Sequence, residues 1–298
     1  MPFYSPLRYP GGKRKLSNYI KLVLGQNGLL GAQYVEPYAG GAAIALALLF
    51  DGYASHIHIN DLSQSVYAFW YAVVHETESL CTRIRNTAVT MDQWHRQRAI
   101  QEHGCQIPLL DLGFSTFFMN RTNRSGIITA GVIGGKNQNG PYKLDARYNT
   151  EDLINRIRRV ARHGSQISIY SEDTADFITE ILPDLPSSAL VYLDPPYYRK
   201  GKRLYGNHYE YGDHKRIFDL VANIDQSWIV TYDNTPETMQ LYQDYRRITY
   251  RLNYSAADRY AGAEVMFFCN GLSIPSIVDP VRVSSRTVSR MLTDLPSL

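Results

Sequence analysis

The hydrophobic pattern between residues 33 and 60 switches twice between two periods. Tyr34-Val-Glu-Pro-Tyr-Ala-Gly-Gly41 opens apolar and ends in a Gly turn, which predicts a strand, a turn and a helix start. The run Ala42 to Phe50 is apolar on every side, so it predicts a helix buried against a sheet. His56-Ile-His-Ile-Asn60 then alternates as a strand and ends at Asp61. Ser63 offers an N-cap for the helix that follows. Upstream, a helix is predicted from Leu16 to about Leu24. Strand, helix, strand, helix in this order predicts an α/β fold with a parallel, doubly wound sheet.

The alternation breaks from Ser65 to Arg147. There the sequence reads as helices followed by a Gly/Asn-rich stretch. Ile127 to Tyr142 predicts a β-hairpin with a long tip running from Gly134 to Gly140. The tip carries Lys136, Asn137, Gln138 and Asn139, side chains suited to phosphates and base edges. The α/β pattern resumes with a helix at Leu153–Ala161, a strand at Gln166–Tyr170 and a helix after Asp173. Strands are predicted at Leu190–Leu193 and Trp228–Tyr232. Between them lies a helix from Asp213 to Asn223, with Asp213 as its N-cap. Arg246–Tyr254 and Ala263–Cys269 predict a C-terminal antiparallel pair. The expected organisation is one α/β domain, residues 1–64 and 148–298, interrupted by an insertion at 65–147. An insertion of roughly 80–90 residues is too long for a loop and predicts a small helical/β-hairpin domain.

Composition narrows the class. Apolar residues are 44% of the 298, enough for a packed core. No window approaches the roughly 18 uncharged apolar residues of a membrane span. Met1-Pro-Phe-Tyr-Ser-Pro-Leu-Arg8 lacks the basic-then-apolar pattern of a signal peptide. The three cysteines, Cys81, Cys105 and Cys269, have no CxxC spacing. Neither a disulfide framework nor a zinc site is expected, and a reduced cytoplasmic setting fits best. The net charge of +3 is mild, but the basic residues cluster, as in Arg199-Lys-Gly-Lys-Arg203. The 23 tyrosines include many in polar segments, where they can stack on bases.

The chemistry concentrates at Asp194-Pro195-Pro196-Tyr197, directly after the Leu190–Leu193 strand. Neither proline donates an N–H, and each fixes its own φ. Asp194 and the Pro195 carbonyl are thus two acceptors held side by side, with an aromatic ring next to them. An exocyclic amino group on a flat base presents two N–H donors and a π-face, which is the complementary pattern. The Gly40-Gly41 turn lets backbone approach a ligand closely. Asp61, at the end of the next strand, can accept both hydroxyls of a ribose. Together these suggest an adenosine-containing ligand. GxGxxG and GxxxxGK[ST] are both missing from the sequence, which disfavours a dinucleotide cofactor and ATP hydrolysis.

Four motifs occur in one order: Tyr9-Pro-Gly-Gly-Lys13, Val35-Glu-Pro-Tyr-Ala-Gly-Gly41, Asn60-Asp61 and Asp194-Pro-Pro-Tyr197. With Phe117-Phe-Met-Asn-Arg121 and Ala263-Glu-Val-Met266, they make the chain resemble the D12-class, Dam-like α group of DNA adenine-N6 methyltransferases over nearly its whole length. The resemblance implies a Rossmann-like methyltransferase sheet, with the insertion as a target-recognition domain. It also implies S-adenosylmethionine as cofactor, without a metal. Tyr9, Lys13, Glu36, Pro37, Tyr38, Ala39, Gly40, Gly41, Asp61, Asp173 and Asp194 are then the expected cofactor contacts. Asp61 would take the ribose and Asp173 the adenine. Tyr9 stands where many relatives have Trp, and Tyr38 where Phe is common.

Asp194, Pro195, Pro196 and Tyr197 are the expected catalytic residues. Tyr197 would stack on the target base, so Tyr197→Ala is expected to slow transfer strongly and Tyr197→Phe or Trp to be tolerated better. Arg121 and Arg124 join Lys136, Asn137, Gln138 and Asn139 as candidates for DNA contact, with Arg121 either structural or DNA-facing. The expected partner is double-stranded DNA, with the target base flipped out. The expected state is a monomer on the nucleoid. The resemblance also admits a dimer and a cognate restriction endonuclease. Two other readings stay open: a non-catalytic DNA-binding protein that keeps the cofactor fold, and methylation of RNA adenine or protein glutamine.

Overall fold

The computed structural model describes residues 3–9, 13–198, 209–253 and 261–294. Two predicted features, Pro10-Gly11-Gly12 and the basic run Arg199–Arg203, lie outside the described residues. The chain forms two compact units. The first takes residues 13–60 and the chain from Glu172 onward, and the second takes residues 61–171 with the segment before Lys13.

The sheet has seven strands in the order β3-β2-β1-β4-β5-β7-β6. They are β1 (Gln33–Glu36), β2 (His56–Asn60), β3 (Ile167–Tyr170), β4 (Leu190–Leu193), β5 (Ser227–Asp233), β6 (Arg246–Asn253) and β7 (Ala261–Phe268). β1 pairs in parallel with β2 on one side and β4 on the other, and β4 pairs in parallel with β5. β7 runs antiparallel to both β5 and β6. Tyr34, Val35, Leu190, Val191, Ile229 and Val230 are fully buried, as a parallel sheet covered on both faces requires. The predicted doubly wound sheet and its C-terminal antiparallel pair are therefore both present. The chain leaves β1 toward β2, then returns to the other side at β4. The gap between the ends of β1 and β4 is thus the switch point, where open α/β sheets bind ligands.

Helices of the first unit are α1 (Ser17–Gln26) and α2 (Ala43–Phe50), followed later in the chain by α8 (Tyr211–Val221), α9 (Pro236–Leu241) and α10 (Ser285–Thr293). The helix expected after Asp173 is a short turn, Thr174–Asp176, that widens into a π turn at Phe177–Ile181. Asp173 caps it by accepting the Ala175 N–H at 2.9 Å. α8 begins two residues earlier than predicted. Glu210 takes the N-cap position and Asp213 closes a capping box by accepting the Glu210 N–H at 2.8 Å.

The second unit holds α3 (Gln64–His75), α4 (Thr77–Asn86), α5 (Met91–His103), α6 (Leu109–Thr122) and α7 (Thr150–Ala161). Ser63 is the N-cap of α3, but its hydroxyl makes no cap bond; instead Asp61 Oδ1 accepts the Ser63 N–H at 2.9 Å. Trp70, Trp94, Phe114, Phe117 and Phe118 form the core. α3 and α6 approach so closely that a Cβ on Gly113 would stand 2.4 Å from the Ala68 carbonyl oxygen.

The hairpin predicted at 127–142 is not formed. The stretch is a series of turns, with one antiparallel bridge from Asn123 to Val132 among the described residues. Gly134, Gly135 and Gln138 all take positive φ, which breaks any strand pairing there. The Gln138 amide donates to the carbonyls of Ile133 at 2.8 Å and Gly135 at 2.7 Å, and accepts from Leu144 N–H at 2.9 Å. The loop thereby satisfies its own backbone and needs no ladder.

Candidate active site

Asp194 follows β4 at the switch point and is half-buried. Two donors converge on its Oδ1: Lys13 Nζ at 3.1 Å and the Thr231 hydroxyl at 2.8 Å. Tyr192 stands behind Thr231, hydroxyl to hydroxyl at 3.2 Å. Among the described residues, Asp194 Oδ2 has no hydrogen-bond partner. Pro195 is buried and Pro196 half-buried, so the turn after β4 is built into the fold. Further along the turn, the Tyr198 N–H is held by Asp233 Oδ1 at 3.0 Å.

Tyr197 is only 5% exposed. Its hydroxyl accepts from Lys13 Nζ at 2.7 Å and donates to Glu264 Oε1 at 2.5 Å. The Lys13 ammonium lies 4.9 Å from its ring centroid. The hydroxyl is therefore engaged on both sides, so Tyr197→Phe keeps the ring but loses both bonds.

Lys13 sits between two carboxylates, Asp194 and Glu264, with its Nζ 3.1 Å from each. Glu264 lies in the middle of β7, and its Oε2 accepts the Tyr250 hydroxyl at 2.8 Å. Burial pushes the Glu264 carboxyl above its ordinary range, and Lys13 opposes the shift. The sequence reading assigned no role to Glu264, Tyr250 or Thr231. The available signal was an acid inside an otherwise apolar strand, Ala263-Glu-Val-Met-Phe-Phe268.

The Gly-rich turn leaves β1 at Glu36. Gly40 and Ala42 are both left-handed, at φ 46°, and the residues from Ala39 to Ala42 are small and buried. No side chain caps α2. Glu36 is buried and accepts the Ala45 N–H at 3.0 Å. Burial pushes its carboxyl up to about 8; the Ala45 and Tyr34 hydrogen bonds pull it down, and the Asp194 charge pushes it up. Asn60, fully buried, fixes the neighbouring strand ends: its amide donates to the carbonyls of Pro37 at 3.1 Å and Glu172 at 3.0 Å, and accepts from Glu172 N–H at 2.8 Å. Tyr38 meets Tyr209, hydroxyl to hydroxyl, at 3.2 Å. Tyr9 and Asp61, both half-buried, belong to the second unit.

A small, left-handed turn running into a helix N-terminus suits the carboxylate end of an amino-acid ligand. The acid at 173, in the same unit as the turn, suits an amino donor. This donor set fits S-adenosylmethionine. Among the described residues, no three His, Cys, Asp or Glu side chains are grouped so as to hold a metal ion.

The sequence matches the family described as D12 class N6 adenine-specific DNA methyltransferase over residues 9–255. The chain belongs to that family. No curated protein matches it. A solved structure similar to this methyltransferase is the rRNA methyltransferase aviRa from Streptomyces viridochromogenes. It is 13% identical over 87% of this chain and 86% of that one, with a TM-score of 0.36. The D12 methyltransferase acts on adenine N6 in DNA and, as its family implies, uses S-adenosylmethionine. Among the described residues, no helix is long and apolar enough to cross a membrane.

The residues expected at the DNA differ in what the fold leaves available. Arg124, Lys136, Asn137 and Asn139 are exposed in the second unit. Arg121 is not available. Its guanidinium is 7% exposed and donates through Nε to the Pro6 carbonyl at 2.8 Å, with Nη2 on the same oxygen. Burial lowers its pKa to about 9, with Arg156 and Arg8 adding repulsion, so it stays charged at neutral pH. Asn120 beside it donates to the Arg8 carbonyl at 2.7 Å and accepts the Arg8 N–H at 2.8 Å. The Asn120-Arg121 pair thus anchors the segment before Lys13, which corrects the DNA-facing expectation. Gln138 is likewise committed to its own loop.

Proposed function

We propose that this methyltransferase methylates an adenine flipped out of double-stranded DNA, at a site selected by residues 65–147. Asp194 Oδ2 and the Pro195 carbonyl accept the two N6 hydrogens. That pulls the amino lone pair out of conjugation with the ring and aims it at the methyl donor. S-adenosylmethionine, when bound, supplies that methyl on an activated sulfonium. Holding N6 and the donor at near-attack distance accounts for most of the acceleration. The turn Glu36, Pro37, Tyr38, Ala39, Gly40 and Gly41 binds the donor's methionine end. Asp61 binds its ribose and Asp173 its adenine, while Tyr9 and Lys13 complete the cofactor contacts. Pro195 and Pro196 keep the turn rigid, and Tyr197 adds an aromatic edge to the pocket. Arg124, Lys136, Asn137 and Asn139 contact DNA.

The observation that carries this reading is the division of labour on Asp194. Oδ1 is tied by Lys13 and Thr231, while Oδ2 has no partner among the described residues. A fixed carboxylate with one oxygen to spare is what an amino donor needs. The test is to express the chain and its Asp194→Ala variant in a methylation-free host and map N6-methyladenine by long-read sequencing. Wild type should mark adenines within one sequence motif. The folded variant should mark none while still binding S-adenosylmethionine by calorimetry. Methylation by Asp194→Ala at the wild-type level would refute the assignment.

A further inference from the structure

Glu264 has no part in the reaction as read above, yet it is the most committed side chain near Asp194. It lies opposite Tyr250 on β6 and Asp233 on β5, and is 1% exposed. An ionised carboxylate at such depth is costly unless fully paired, and for packing alone an apolar side chain serves as well or better. Both oxygens are engaged. Oε1 accepts from Tyr197 Oη at 2.5 Å and Lys13 Nζ at 3.3 Å. Oε2 lies 3.1 Å from Lys13 Nζ and accepts Tyr250 Oη at 2.8 Å.

We propose that Glu264 is a positioning residue for methyl transfer: it fixes the Tyr197 hydroxyl and divides the Lys13 ammonium between itself and Asp194, so that Asp194 keeps one orientation with Oδ1 tied. This rests on the reading of Asp194 as the acceptor of the N6 hydrogens. The groups facing Glu264 are Lys13 ahead of α1, Tyr197 in the turn after β4, and Tyr250 on β6. The Asp194 and Tyr192 fields also reach it, and Glu36 adds its own field to Asp194. Two carboxylates thus share one ammonium, and removing the Glu264 charge leaves Lys13 to Asp194.

Full-length wild type, Glu264→Gln, Tyr250→Phe and Asp194→Ala are compared in single-turnover methylation of DNA from a methylation-free host, over about pH 5 to 9. Melting temperature and S-adenosylmethionine affinity are measured beside them. Glu264→Gln should slow transfer on the order of 10- to 100-fold, as misplacement of a reacting group does, with cofactor affinity changed less than about threefold. The acid limb of its rate profile should move to lower pH, because the Glu264 carboxyl, which burial raises, is no longer there to take up a proton beside Lys13. Tyr250→Phe takes away a donor that holds the Glu264 carboxyl down, so it should move the limb the other way, to higher pH.

Wild-type rate with an unmoved limb in Glu264→Gln overturns the proposal. So does a rate loss matched by lost folding when Tyr250→Phe leaves the limb unmoved. If Glu264→Gln does not fold, the limb of Tyr250→Phe decides. An active Asp194→Ala sinks the parent reading; an inactive one beside a wild-type Glu264→Gln sinks this inference alone.

Discussion

Glu36 is a buried acid that the fold holds in its protonated form. Its carboxyl is pushed from 4.5 up to about 8, mainly by burial. In the unfolded chain it ionises near its ordinary value, while in the fold it holds its proton. The native state therefore binds more protons between those two values, and its stability falls as pH rises through them. The slope is at most about 1.4 kcal/mol per pH unit. Glu36→Gln keeps a polar side chain and removes the titration. Its melting temperature, measured without ligand at pH 5 and pH 8, should fall less with pH than that of wild type; parallel curves would show that Glu36 does not carry the effect. Asp194 and the Gly turn were legible because proline and glycine dictate backbone whatever surrounds them. Glu264 was not, since Tyr250 reaches it through strand register and Lys13 from the far end of the sequence.

Among the elements, α6 and the loop after it separate what local pattern can and cannot tell. Helices were predicted for this stretch without bounds, and the Asn120-Arg121 end was noticed, but its direction was not. A buried guanidinium on a backbone carbonyl and a surface guanidinium on phosphate look alike in sequence. Gly113 on α6 sets the distance to α3. Gly113→Ala should force the helices apart and lower the stability by about 1–3 kcal/mol, read from chemical denaturation. A loss below a few tenths would mean that the crossing adjusts freely. The turns at 127–142 defeated the hairpin prediction because Gln138 supplies hydrogen bonds that a ladder would have made. Lys136→Ala should weaken DNA binding on all sequences and flatten its salt dependence by about one counterion. Gln138→Ala should instead speed hydrogen exchange in the loop. If both variants bind DNA with the wild-type salt slope, this loop is not at the phosphates.

At the scale of the molecule, the alternation of strands and helices was enough to predict the doubly wound sheet, and the switch point then located the acid turn. What could not be predicted was which late strands close the site, because pairing between distant segments leaves no local trace. Binding of S-adenosylmethionine at that switch point should raise the melting temperature in proportion to the logarithm of its concentration once it exceeds Kd. ATP and NAD at the same concentrations should leave it unchanged; a shift with either would redirect the cofactor assignment.

The Lys13–Glu264 contact also orders events in time, since its partners stand 251 positions apart. At about 5–20 residues per second, translation needs roughly 10 to 50 s to deliver the second after the first. Throughout that interval the nascent chain carries the Lys13 ammonium, and later the Asp194 turn as well, without the acid that completes the cluster. The cluster therefore cannot close until residue 264 has been made, whatever Lys13 and Asp194 do together before it.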